Sequence, residues 1–337
     1  LGTSASAQLL GGCDTLLLVG TNDPWTDYYP MPGQAAAIQI DIDGRRLVNR
    51  YPVDVPLIGD AAETLRALLP RVPQRANREW RELIESSVDR WRIDAAARAE
   101  APAEPMNPQA VLRELSPRLP WDSAVAVDVG SVTYWYARHV QLPPGVPAHL
   151  SSTLASTGCA LPYGIAAKLA VPDRPVVVLA GDGAMQMNGL AELITVAHRW
   201  PEWPDPRFVV LVLNNRDQAG VSLAQREAGQ VALPEAQRLP DVPYAGWARL
   251  LGMHGVRVDR PELVGAAWDE ALAADRPTLI EAVVDASVSL SPPDQPFADL
   301  RGLLEGRTQE GGEVASRARA ELVRERANGP GGSDELI

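Results

Sequence analysis

Short, nearly unbroken apolar runs punctuate the stretch from 124 to 284, and they limit the fold more than any other feature. They cover residues 124–129, 176–180, 208–213, 255–258 and 278–284. Each is too short for a buried helix and apolar at most of its positions, the pattern of a parallel strand covered on both faces. Segments of helical length separate them, at about 161–170, 189–200, 244–251 and 261–274, with further helix signals at 108–119 and 133–140. Strand and helix alternating in this way predict an α/β domain over residues 109–290, built on a doubly wound, mostly parallel sheet.

A second, smaller α/β pattern precedes it. Residues 15–20 and 37–41 read as buried parallel strands, and residues 60–69 read as a helix with Asp60 as N-cap and Pro70 as its stop. A longer helix is expected over 77–99, with Trp80, Leu83, Ile84, Val88, Trp91 and Ile93 at near-helical spacing. These elements form an expected first domain over 1–99. Three prolines make 100–108 an expected linker. Residues 291–337 lose apolar periodicity and are expected to form a mobile tail, with one solvated helix near 314–326.

Charge narrows the partners. A formal net charge of −12 argues against nucleic acid, which needs a basic face. Any phosphate bound here must be held by a metal or by main-chain amides. Cys13 and Cys159 have no partner spacing, so a disulfide framework and a zinc site are not expected and a reducing cytoplasm is the expected location. No apolar run reaches the ~20 residues of a membrane span, and no signal-peptide pattern is seen. A chain opening on Leu1 rather than Met fits a fragment or a processed protein.

The most informative stretch runs from 176 to 217: a strand, Gly181-Asp182-Gly183, a helix, a strand, then Asn214-Asn215. Parallel sheets place ligands beyond the carboxyl ends of their strands, and right-handed crossovers make neighbouring tips the expectation. Asp182 and Asn215 would then offer two oxygen donors to one point, which suits a hard cation such as Mg2+ whose remaining ligands are phosphate oxygens and water. Gly181 and Gly183 allow close backbone approach, and the amides after Asp182 face an anion. Alone, either motif reads as an ordinary turn after a strand. Together and in this order, at the ends of successive apolar strands, they are much more specific, and the reading is a metal-bridged diphosphate site.

These residues resemble the diphosphate-binding signature of thiamine diphosphate enzymes. Residues 154–170, Leu154-Ala155-Ser156-Thr157-Gly158-Cys159 and onward, resemble the turn and helix that precede it in the pyruvate oxidase and acetolactate synthase group. Val19-Gly20, Gln39-Ile40-Asp41-Ile42-Asp43 and Ile58-Gly59-Asp60-Ala61 resemble the second half of that group's central domain. The resemblance therefore implies a thiamine diphosphate-binding fold preceded by a partial Rossmann-like central domain. It also implies that the main-chain carbonyl of Asp217 joins Asp182 and Asn215 on Mg2+, that the amides of Gly183 and Ala184 contact the diphosphate, and that Thr157 and Gly158 border the cofactor. The implied activity is decarboxylation, oxidation or carboligation of a pyruvate-like 2-oxo acid. The implied assembly is a homo-oligomer, or a complex with a chain supplying the pyrimidine domain and its activating glutamate, which is missing from these residues. The alternative is a non-catalytic cofactor-binding fragment or assembly subunit.

Two positions depart from that group's pattern. The interval from Asp182 to Asn215 is longer by a Pro/Trp loop at 200–206, and Thr157 stands where a bulky apolar residue, often Met, wedges under the cofactor. FAD is possible on Thr21-Asn22-Asp23 with Asp41 and Asp43, but turn and cap roles are favoured for these residues. Asp128-Val129-Gly130-Ser131 is a further candidate for the diphosphate end. His149 with Ser151-Ser152, and Gln225-Arg226-Glu227 in an expected loop, are weaker candidates for the substrate side. Met185, Gln186 and Met187 divide evenly between helix-start packing and cofactor contact, whereas Glu192 and most of the tryptophans are expected to be structural.

Overall fold

A computed structural model describes residues 2–22, 28–231 and 233–290, together with Ser316 and Ala320; Asp23 and the rest of the expected tail lie outside the described residues. Residues 2–94 make one unit and the residues from Ala95 onward another.

In the first unit, α1 (Ser4–Gly11) begins at Thr3, whose hydroxyl accepts the Ser6 N–H at 3.1 Å. Three parallel strands follow, β1 (Thr15–Val19), β2 (Ala36–Asp41) and β3 (Val55–Ile58), in the order β1-β2-β3. The expected burial of β1 needs correction. Leu16 and Leu18 are buried while Leu17 is exposed, so the run behaves as a strand covered on one face. Sequence periodicity missed β3 because it contains Pro56 and all four of its residues are exposed. Its place at the sheet edge tolerates a missing N–H. Asp60 caps α2 (Ala61–Leu68) by accepting the Glu63 N–H at 3.0 Å. The helix α3 (Glu79–Glu100) begins in the first unit, where Trp91 is buried and Trp80, Leu83 and Ile93 are exposed; its last residues, with Ala95 and Ala99 buried, belong to the second.

After α3 the second unit continues with a segment that is already packed, where a linker was expected. Met106 is buried, and Asn107 caps α4 (Pro108–Arg113) through the Gln109 N–H. That helix stops well short of residue 119, because Pro117 cannot continue it; Leu115 and Leu119 are buried from turns instead. The elements that follow are β4 (Ala124–Val127), α5 (Ser131–His139), β5 (Ala148–His149), α6 (Ala160–Ala170) and β6 (Val176–Gly181). Next come α7 (Asp182–Ala184), which widens into a π turn over Met185–Gly189 and continues as α8 (Leu190–Arg199), then β7 (Phe208–Asn214). The chain then forms α9 (Ala219–Glu227), where a loop was expected around Gln225, and α10 (Pro234–Gln237). It ends with α11 (Tyr244–Leu250), β8 (His254–Val258), α12 (Val264–Ala273) and β9 (Thr278–Val283).

The six strands are all parallel, in the order β5-β4-β6-β7-β9-β8. Alternate residues feed two cores. Val125, Val177, Leu179, Val209, Leu211 and Ile280 face one, with Trp268; Ala124, Val178, Phe208, Val210, Val212 and Leu279 face the other, with Leu161 and Tyr244. Coverage on both faces is what made these strands readable as continuous apolar runs. The winding direction reverses between β4 and β6, so the crevice beyond their carboxyl ends is the ligand position for this topology. The Pro/Trp loop lies before β7, at the opposite end of that strand from its tip. Trp203 is buried there against Phe208, ring centroids 5.4 Å apart, with the Lys168 ammonium 5.6 Å from the Trp203 ring. The added length therefore does not intrude on the tips.

Candidate functional site

The register of β6 on β7 pairs Gly181 with Leu213, so Asp182 and Asn215 leave neighbouring strand tips. The Asp182 Oδ2 accepts the N–H of Arg216, the residue next to Asn215, at 2.6 Å, and Oδ1 accepts the Gly183 N–H at 2.9 Å. The carboxylate is buried, and among the described residues no Lys or Arg side chain pairs with it. Burial, only partly offset by the amide donors, pushes its carboxyl up to about 7. Asn215 Oδ1 accepts the Asp217 N–H at 3.0 Å in a tight turn, and Asp217 Oδ1 accepts the Ser222 hydroxyl at 2.9 Å. A carboxylate or amide oxygen carries two lone pairs, so Asp182 Oδ2 and Asn215 Oδ1 can each accept a ligand contact beside the hydrogen bonds given.

Asp182 also opens the helix that runs through the π turn to Arg199, so the first-turn amides have no main-chain acceptor within the helix, and that of Gly183 is held by the Asp182 side chain instead. A Cβ on Gly181 would meet nothing within 4 Å, whereas one on Gly183 would touch Leu239 at 3.4 Å. π turns occur often at functional sites. Here the turn buries Met185, exposes Met187, and lets Gln186 donate to the Tyr244 hydroxyl at 3.0 Å.

The Thr157-Gly158 turn packs against the π turn. Gly158 has φ +88°, and a Cβ there would lie 2.8 Å from the Asn188 side-chain nitrogen. The turn is fastened by Asp128, buried at the tip of β4, which accepts the N–H groups of Gly158 at 2.7 Å, Ala160 at 3.1 Å and Val129 at 2.8 Å. Desolvation raises the Asp128 carboxyl while those amides lower it. Asp128 thus clamps the turn, while Gly130, with φ +134°, carries the chain into α5. Thr157 is partly exposed and Leu154 fully so.

The other candidates lie as follows. His149 is exposed on β5 and Glu192 is half-buried on α8. In the first unit, Asp43 caps a 3-10 turn and pairs with Arg45 at 2.9 Å, and Asp41 accepts the Asp43 N–H at 2.8 Å. Sequence reasoning found the helix that begins at Tyr244 but missed that the segment 237–245 contacts the turns after β6 and β7. Residues 237–243 carry no periodic signal of their own.

No three His, Cys, Asp or Glu side chains gather as a metal centre among the described residues. What the sheet offers is a mixed donor set: one desolvated carboxylate, one amide oxygen and main-chain groups beside a helix N-terminus. That set fits a hard cation bridging to a diphosphate. An uncompensated buried carboxylate and the open space at Gly181 are what such a group would neutralise and fill.

The all-parallel α/β sheet is consistent with the thiamine pyrophosphate-binding fold, and the chain belongs to the thiamine pyrophosphate enzyme family. Residues 128–282 match the model of its C-terminal TPP binding domain and residues 1–68 that of its central domain. These families use thiamine pyrophosphate with a divalent metal such as Mg2+, and FAD in some members only. The chain is 31% identical over 293 residues to the thiamine pyrophosphate-containing protein YdaP of Bacillus subtilis, covering 87% of this chain and 49% of the relative. It is 28% identical to the pyruvate oxidase of Lactiplantibacillus plantarum over 82% of this chain and 45% of the relative. With the large subunit of Escherichia coli acetolactate synthase isozyme 2 it shares 29% identity, over 90% of this chain and 54% of the relative. The chain thus spans about half the length of the curated relatives it matches.

Proposed function

We propose that this chain binds thiamine diphosphate through Mg2+ and takes part in decarboxylating, oxidising or ligating a pyruvate-like 2-oxo acid. The observation that carries the reading is the buried Asp182 carboxylate, without a cationic side chain, held 2.6 Å from the amide next to Asn215 at an adjacent strand tip. Asp182, Asn215 and the carbonyl of Asp217 would hold the metal. The amides of Gly183 and Ala184 would hold the diphosphate, and Thr157 and Gly158 would border the ring system. The bound cofactor supplies the nucleophilic carbon and the electron sink. The chain's own residues fix its position, exclude water around Asp182, and present a positive helix end to the phosphates.

The same reading has the site completed by a second protein surface carrying a pyrimidine-side acid. Met187, Ala191 and Ile194 form an exposed stripe at helical spacing on the site's helix. Such a stripe suits a partner subunit or domain. Both cysteines are free and buried, which suits the reducing cytoplasm we assign to it. Among the described residues no helix is long and apolar enough to cross a membrane.

Calorimetry of the full chain tests the reading. Thiamine diphosphate should bind only with Mg2+ present, and Asp182→Ala should abolish binding. Absence of magnesium-dependent binding by the unaltered chain refutes it. Turnover of pyruvate then separates the catalytic reading from that of a cofactor-binding subunit, which would bind without turnover.

A further inference from the structure

We infer that Tyr244, at the end of the segment 237–245, is a positioning residue for the metal-binding turns; this rests on the cofactor reading above. The turn that follows β7 is held in an unfavourable shape. Arg216 has φ +55°, a left-handed conformation that costs a non-glycine residue on the order of 1 kcal/mol or more. That shape aims its N–H at Asp182 Oδ2. Something must hold it there, and segment 237–245 makes the contacts. Leu239 N–H donates to the Arg216 carbonyl at 2.9 Å, and Gln218 N–H donates to the Gln237 carbonyl at 3.0 Å. Asp217 and Arg238 face each other in an antiparallel bridge.

The same segment grips the other turn. Leu239 lies against Gly183, and the Tyr244 hydroxyl donates to the main-chain carbonyl of Asp182 at 3.2 Å while accepting from Gln186 in the π turn. Tyr244 is fully buried, and α11, which it begins, is fastened below by the Ala245 N–H on the buried Glu281 at 3.0 Å. Glu281 also accepts from Asn214, the residue before the proposed ligand Asn215, at 3.2 Å. One segment thus fixes the distance between the Asp182 turn and the Asn215 turn. Ligand spacing within a few tenths of an ångström is what Mg2+ demands, and partners behind a ligand routinely set its affinity. The Arg216–Asp241 pair at 3.0 Å is half exposed and contributes little beside this.

Tyr244→Phe in the full chain deletes the hydroxyl and keeps the ring in the core. Binding of Mn2+ in the presence of thiamine diphosphate, read by calorimetry and by the bound-manganese spin-resonance signal, should weaken about three- to ten-fold, the loss expected for one hydrogen bond. Val264→Ala, a substitution in the core on the other face of the sheet, controls for stability: it should lower the melting temperature and leave Mn2+ affinity unchanged. Equal Mn2+ affinity in Tyr244→Phe and the unaltered chain overturns the positioning role while leaving the cofactor reading intact. Equal weakening by Val264→Ala overturns it too, as a general stability effect. No binding by the unaltered chain removes both.

Discussion

Asp182 is the residue on which burial and charge conflict most openly. Its carboxyl lies near 7 in the folded chain against an ordinary value near 3.8. The raised value means that its favourable contribution to metal-free stability is complete below about pH 4 and is lost as pH rises through 7. Asp182→Asn should therefore raise the metal-free stability at pH 8, by at most about 4 kcal/mol, with the gap closing toward pH 4. Urea unfolding at the two pH values measures this, and the same variant should lose magnesium-dependent binding. A stable variant without affinity would show folding stability given up for function. His139 behaves in the opposite direction. It is buried against Gln109 at 2.9 Å, and desolvation, with Arg138 and Arg113 nearby, pulls its ring down to about 4. Stability from its neutral form is present above about pH 6.5 and falls as pH drops toward 4. His139→Gln should flatten that slope by up to roughly 3 kcal/mol, read as the difference in urea midpoint between pH 7 and pH 4.5.

At the scale of elements, two glycines set how closely helices lie on the sheet. A Cβ on Gly164 of α6 would stand 2.5 Å from Val178 and 3.2 Å from Phe208, both on the sheet beneath it. Gly164→Ala should destabilise by about 1–3 kcal/mol in urea unfolding. Gly255 of β8 is stricter, because its Cβ would stand 2.2 Å from the main-chain oxygen of Ala245, which cannot rotate away. Gly255→Ala should push α11 off β8, costing more than Gly164→Ala in the same assay and weakening Mn2+ binding through the displaced Tyr244. The elements that the sequence made legible were those whose burial is periodic. The six-stranded sheet showed its long strands as apolar runs because both faces are covered. The short β5 and the exposed, Pro-containing β3 carried no such signal. Residues 108–119 promised one helix because Leu112, Leu115 and Leu119 are helically spaced, yet Pro117 breaks the backbone and turns bury the last two.

Across the whole molecule, ligand and fold are coupled by mass action. With Mg2+ and thiamine diphosphate at about a hundredfold excess over their dissociation constant, the folded state should gain about 2.7 kcal/mol. Scanning calorimetry should show this as a raised unfolding transition that a chelator reverses and that Asp182→Ala never shows. Strand order in sequence, the parallel winding and the arrival of Gly181-Asp182-Gly183 and Asn214-Asn215 at strand ends were all readable from the chain alone, because strand length and burial period are local properties. The clamp of Asp128 on the Gly158 turn, the Arg216 amide on Asp182, and the reach of Tyr244 to the Asp182 carbonyl needed the tertiary structure. Those contacts join residues 30, 34 and 62 positions apart. No periodicity encodes a hydrogen bond between distant turns, and the desolvation that raises the Asp182 carboxyl exists only once the sheet has closed around it.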